Sequence, residues 1–74
     1  MEKTVNRYLS ELLQRYQQTT QKTCTEMALE FDITLSNLYL YRNEQGNPRA
    51  KTIDKILGEI SVRCPELLEQ VSIY

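Results

Sequence analysis

Three features of the sequence predict an all-α fold, a compact bundle of about five short helices. Apolar residues recur at spacings of three and four along most of the chain, the period at which one face of a helix turns inward. Helix-start signals precede several of these runs. The composition, 41% hydrophobic and 26% charged with two Gly and two Pro, excludes disorder, collagen-like repeats and low complexity.

The first helix is predicted over residues 3–17. Val5, Tyr8, Leu9, Leu12, Leu13 and Tyr16 line one face, and Glu2, Arg7, Glu11, Gln14 and Arg15 the other. Residues 17–21 hold no apolar side chain and read as a frayed helix end plus a loop. Thr23 and Glu26 then form the Thr-x-x-Glu capping box of a second helix, residues 24–31, with Met27, Ala28 and Phe31 facing inward. Asp32 follows, a residue type that enters the left-handed region at low cost.

Thr34 or Ser36 caps a third helix reaching about Asn43, with Leu38 and Tyr41 inward and Tyr39 on the opposite face. Residues 44–48, Glu-Gln-Gly-Asn-Pro, are a turn by composition. A fourth helix starts between Pro48 and Lys51 and buries Ile53, Ile56, Leu57 and Ile60. Gly58 inside it costs about 1 kcal/mol relative to Ala, so a close helix contact is expected there. Cys64-Pro65 breaks this helix. Pro65 opens a short fifth one with Leu67, Leu68 and Val71 inward, and the tail that follows is too short to assign.

At 74 residues the chain is expected to form one domain, 1–74, with a small core. No apolar run approaches the roughly 18 residues needed to span a membrane. The polar start shows no signal-peptide pattern, so a cytoplasmic protein is expected. There is no histidine, and Cys24 and Cys64 alone cannot close a zinc site, so no metal or other cofactor is expected. With the commonest general base missing, scattered carboxylates and no Gly-rich phosphate loop, the sequence does not read as an enzyme, and no small-molecule ligand is expected.

Residues 24–43 have the pattern of a helix-turn-helix. Ala28 supplies the small residue where the second helix crosses the first, and Asp32 the left-handed turn. Met27, Phe31, Ile33, Leu38 and Tyr41 supply the apolar positions around them. With Thr23-Cys24-Thr25-Glu26-Met27-Ala28, Asp32-Ile33-Thr34-Leu35-Ser36-Asn37-Leu38, Asn47-Pro48-Arg49 and Lys51-Thr52-Ile53-Asp54-Lys55-Ile56-Leu57, the chain resembles the lambda-repressor/Cro-like helix-turn-helix proteins over about residues 5–70. It departs from them in having Asp32 where the family most often has Gly, and leucines at outward positions of the recognition helix.

The resemblance implies a sequence-specific transcriptional regulator, a Cro-like repressor binding palindromic operator DNA as a homodimer. It places Thr34, Leu35, Ser36 and Leu40 toward base edges, with Asn37 and Tyr39 alongside. Ser36 or Asn37 suits hydrogen bonds to bases, and Leu35 or Leu40 the thymine methyl. Phosphate contacts are expected from Lys22, Thr23, Tyr39, Arg42, Asn43, Asn47, Arg49 and Lys51. Leu67, Leu68, Val71, Ile73 and Tyr74 exceed what a short helix needs for packing and are expected to form the dimer surface.

The net charge of −1 and pI near 5.3 count against a simple electrostatic DNA binder. The distribution offsets part of this. Residues 42–51 hold three basic groups to one acidic, and residues 56–74 one to three. A protein-interaction module on the same fold, an anti-repressor or antitoxin-like adaptor, is the alternative, favoured by the acidic pI and the outward Leu35 and Leu40.

Overall fold

The structure, a computed structural model, describes residues 4–71. Five helices follow in order: α1 Val5–Thr20, α2 Cys24–Phe31, α3 Leu35–Arg42, α4 Ala50–Arg63 and α5 Glu66–Gln70. No strand occurs among the described residues.

The helix starts follow the capping chemistry of the sequence. Thr4 accepts from the Arg7 amide, Thr23 from Glu26 and Thr34 from Asn37, each satisfying an amide that has no partner inside its helix. At α2 the capping box is complete, because the Glu26 carboxylate also accepts from the Thr23 amide. Arg49 and Pro65 precede α4 and α5 without a side-chain cap.

Two helix ends share one solution. After α2, Asp32 turns left-handed at φ 56°, its amide donating to the Leu29 carbonyl and the Ile33 amide to that of Ala28. After α3, Glu44 does the same at φ 60°, its amide donating to Tyr41 and that of Gln45 to Leu40. Both are Schellman turns built without glycine. Gly46 follows at φ 80°, where an added Cβ would press against Tyr41 and Leu40, so the α3–α4 loop does require its glycine.

The core joins Leu9, Leu12, Leu13 and Tyr16 of α1 to Met27, Ala28 and Phe31 of α2, Leu38 and Tyr41 of α3, and Ile56 and Ile60 of α4. The Tyr16 and Phe31 rings meet at 5.4 Å with a 54° tilt. Tyr8, Ile33, Leu57 and Leu68 pack partly buried at its edge.

Four expectations change. α1 continues to Thr20 where a frayed end was expected. The Thr20 hydroxyl donates to the Tyr16 carbonyl, and Gln21 closes the helix in the left-handed region at φ 57°. Ile53 and Leu57, expected to be buried, are only half-buried. Gly58 makes no close helix contact, since a Cβ built there would meet nothing within 4 Å. Leu67 and Val71, expected at a dimer surface, are 1% and 2% exposed and complete the core where α5 folds back. A short helix at the end of a small chain must close that core, and its apolar residues are consumed in doing so. Leu68 remains half-buried, and Ile73 and Tyr74 lie outside the described residues.

Candidate nucleic-acid interface

Residues 32–34 turn the chain from α2 into α3. Successive residues of a helix advance by about 100°, which places Leu35, Ser36, Tyr39, Leu40 and Asn43 within an arc of roughly 140°. All five are exposed, whereas Leu38 and Tyr41 on the opposite side are buried. The outward face is thus two leucines, a tyrosine, a hydroxyl and an amide, with no charge. Base-edge candidates Leu35, Ser36 and Leu40 lie on it. Thr34 stands exposed at its head with its hydroxyl committed to the cap, and Asn37 is half-buried at its edge.

The expected phosphate ligands divide sharply. Arg49 and Lys51, at the start of α4, are exposed, and their side chains form no ion pair or hydrogen bond among the described residues. Lys51 lines a surface depression of about 160 Å³ with Phe31, Asp32, Ile33, Thr52 and Lys55, beside the turn into α3. Asn43 and Asn47 are exposed, as is Tyr39.

Lys22 and Arg42 are not free. The Lys22 ammonium pairs with Glu30 and lies 5.8 Å from the Tyr16 ring centroid. Arg42 Nη1 donates to Gln17 Oε1 at 3.0 Å and to Cys24 Sγ at 3.2 Å, turning inward toward α1 and α2. Thr23 Oγ1 is occupied by its capping box. A cation beside a half-buried acceptor pairs internally, because the shielded acceptor holds it more strongly than water does.

Glu30 is the acceptor that sequence periodicity could not rank. Its carboxylate, on α2, takes Tyr16 Oη at 2.9 Å, the Lys22 ammonium and Arg63 Nη1 at 3.2 Å. Burial alone would raise its pKa. The hydrogen bonds from Lys22 and Tyr16, with the charges of Lys22 and Arg63, outweigh that and hold it below the ordinary glutamate value. Tyr16 is displaced upward, first by burial and then by the adjacent carboxylate. Of the acidic residues close to α3 in sequence, Glu30 is therefore neutralised from within, and Glu26 is folded into its cap.

Among the described residues no group of His, Cys, Asp or Glu is arranged to hold a metal ion, and no helix is long and apolar enough to cross a membrane. Both cysteines are free thiols, Cys64 buried and Cys24 half-buried. The chain matches no protein-family model, no curated protein and no solved structure. The candidate interface is therefore α3, the turn that presents it and the unpaired Arg49 and Lys51 side chains at the start of α4.

Proposed function

We propose that this chain is a small DNA-binding regulator of transcription, a Cro-like repressor that lays α3 in the major groove of operator DNA. The observation that carries the reading is the unpartnered outward face of α3 with the unpaired Lys51 at the turn leading into it. Ser36 and Asn43 supply hydrogen-bonding groups on that face. Leu35 and Leu40 suit thymine methyls, and Arg49 and Lys51 suit phosphates. The resemblance of about residues 5–70 to lambda-repressor/Cro-like proteins supports the same reading. One eight-residue helix makes too few contacts for tight operator binding, so the active species is a homodimer. A cytoplasmic location goes with this role.

A fluorescence titration of DNA from upstream of the gene, repeated across a salt series, tests it. Log affinity should fall linearly with log salt, and Arg49→Ala and Lys51→Ala should each reduce that slope by about one. No binding even at low salt would sink the proposal.

A second reading, a protein-interaction module, is favoured by the absence of charge on the α3 face and by Leu35, Tyr39 and Leu40 standing together there. In that case the DNA titration is flat, and Leu40→Glu abolishes capture of the partner protein without altering the melting temperature.

A further inference from the structure

We propose that a stripe of uncharged polar residues on α1 is the device that positions α3, and that Arg42 is a positioning residue within it. Asn6, Ser10, Gln14 and Gln17 fall within an arc of roughly 80° on α1, between its apolar face and its charged one. Each reaches α3 or the loop after it.

Asn6 Nδ2 donates to the Gly46 carbonyl at 3.3 Å. The Ser10 hydroxyl donates to the Arg42 carbonyl, and Gln14 Nε2 donates to the same oxygen at 3.1 Å and to Ser10 Oγ at 3.1 Å. Gln17 Oε1 accepts from the Arg42 guanidinium, while its Nε2 donates to Cys24 Sγ at 3.5 Å. Arg42 is thus held at both ends, by its carbonyl and by its guanidinium.

The last turn of a helix leaves carbonyls without internal partners. Those of Leu40 and Tyr41 are satisfied by the Schellman turn, and that of Arg42 falls to α1. α3 contributes only Leu38 and Tyr41 to the buried core, and apolar burial is non-directional, so it specifies the roll and slide of the helix less sharply than hydrogen bonds do. Hydrogen bonds fix distance and angle where apolar contacts do not. Ser10 is 3% exposed, so water cannot take over its bond, and its side chain cannot itself touch a ligand of α3. The seam fixes α3 whatever that helix binds. Its effect on DNA discrimination rests on the reading proposed above.

Amide hydrogen exchange on Ser10→Ala, Arg42→Met and the milder Gln14→Ala, in the full chain, tests the device directly. Protection of the α3 amides from Leu38 to Arg42 should fall about tenfold, with α4 amides changing much less. In DNA titrations the preference for operator over random DNA should fall about tenfold in Ser10→Ala and Arg42→Met, with the salt slope unchanged, because neither removes a phosphate contact. Unchanged α3 protection, or equal loss in α3 and α4, overturns the proposal. So does a slope reduced by about one in Arg42→Met alone, which would make Arg42 a phosphate ligand. If the chain binds no DNA but α3 protection falls selectively, the positioning role stands and the DNA reading fails.

Discussion

Two seams hold this small bundle together, and they use opposite chemistry. Where α1 meets the end of α3 the contacts are neutral: a serine, three side-chain amides, a thiol and two backbone carbonyls, with the Arg42 guanidinium the one charge. Where α2 meets α4 they are ionic, with Glu30 taking Tyr16, Lys22 and Arg63, and Glu59 taking Lys55 and Arg63 along α4. The difference bears on function. The ionic seam consumes Lys22, Lys55 and Arg63 and the neutral seam Arg42, so among the described residues Arg49 and Lys51 are left as free cations beside α3. The neutral seam is built mostly from groups that carry no charge, so its hydrogen bonds are expected to depend little on pH or salt.

The largest test is Glu30→Ala. It strands the Tyr16 hydroxyl and the Lys22 ammonium, which a partly shielded carboxylate now satisfies, while Arg63 keeps Glu59, and the loss should be about 2 kcal/mol by urea unfolding. Its pH signature separates the seams. The folded pKa of Glu30 is depressed, so its contribution is fully present above the ordinary glutamate value of 4.5 and is lost as pH falls through the lower folded value. Wild-type protein should therefore lose stability on acidification below about pH 4.5, and Glu30→Ala should flatten that limb. An identical acid limb in the variant would remove Glu30 from the centre of the ionic seam.

Ser10→Ala tests the other side. It removes one of two donors to the Arg42 carbonyl, and Gln14 stays in place, so the cost should be about 1 kcal/mol. Neither Ser10 nor Gln14 titrates, so that cost should be the same at acidic and neutral pH. A penalty that grows or vanishes with acidification would mean that the two seams are coupled.

How much of this was legible in the sequence follows from the same contrast. Local rules act within a few residues, and they succeeded. The Thr23–Glu26 capping box, the Thr34 cap, the left-handed Asp32 and the break at Cys64-Pro65 are all written in adjacent positions. The seams were not, because the contacts that tie α1 to α3 and α4 to α2 join residues far apart in the chain. Gln17 looked like a frayed end since it opens a run of five residues with no apolar side chain, yet its partner is Arg42. Lys22 and Arg42 looked like free cations because Glu30 and Gln17 gave no sign of being shielded. One signal was available for the neutral seam. Asn6, Ser10, Gln14 and Gln17 keep helical spacing and carry no charge, unlike Arg7, Glu11 and Arg15 beside them. Leu67 and Val71 failed differently, because periodicity finds an apolar face but not whether its own chain or a second copy covers it.

Gly58→Ala supplies a baseline that touches neither seam. The position is open and helical, so the added methyl meets nothing, and the change should stabilise by about 0.5–1 kcal/mol through helix propensity and the stiffer unfolded chain. Both the acid limb and the α3 exchange rates should keep their wild-type pattern. Selective protection of either seam in this variant would show that α4 propensity feeds into it.

The smallest effect is expected from Glu59→Gln, and it marks where the ionic seam ends. Hydrogen bonds from Lys55 and Arg63 hold the Glu59 carboxyl below its ordinary value, but both partners sit four residues away on the same exposed helix face. Pairs of that kind are screened by salt, and Arg63 keeps Glu30 as a second partner when Glu59 is neutralised. Thermal unfolding of wild type and variant should differ slightly at low ionic strength and converge as salt rises. Glu30→Ala, by contrast, should stay destabilised at every salt concentration, because the hydrogen bond from Tyr16 survives screening. If the Glu59→Gln difference also persisted at high salt, Glu59 would belong with Glu30 in the shielded part of the seam, and the contrast between a helix-surface ion pair and an interhelix one would collapse.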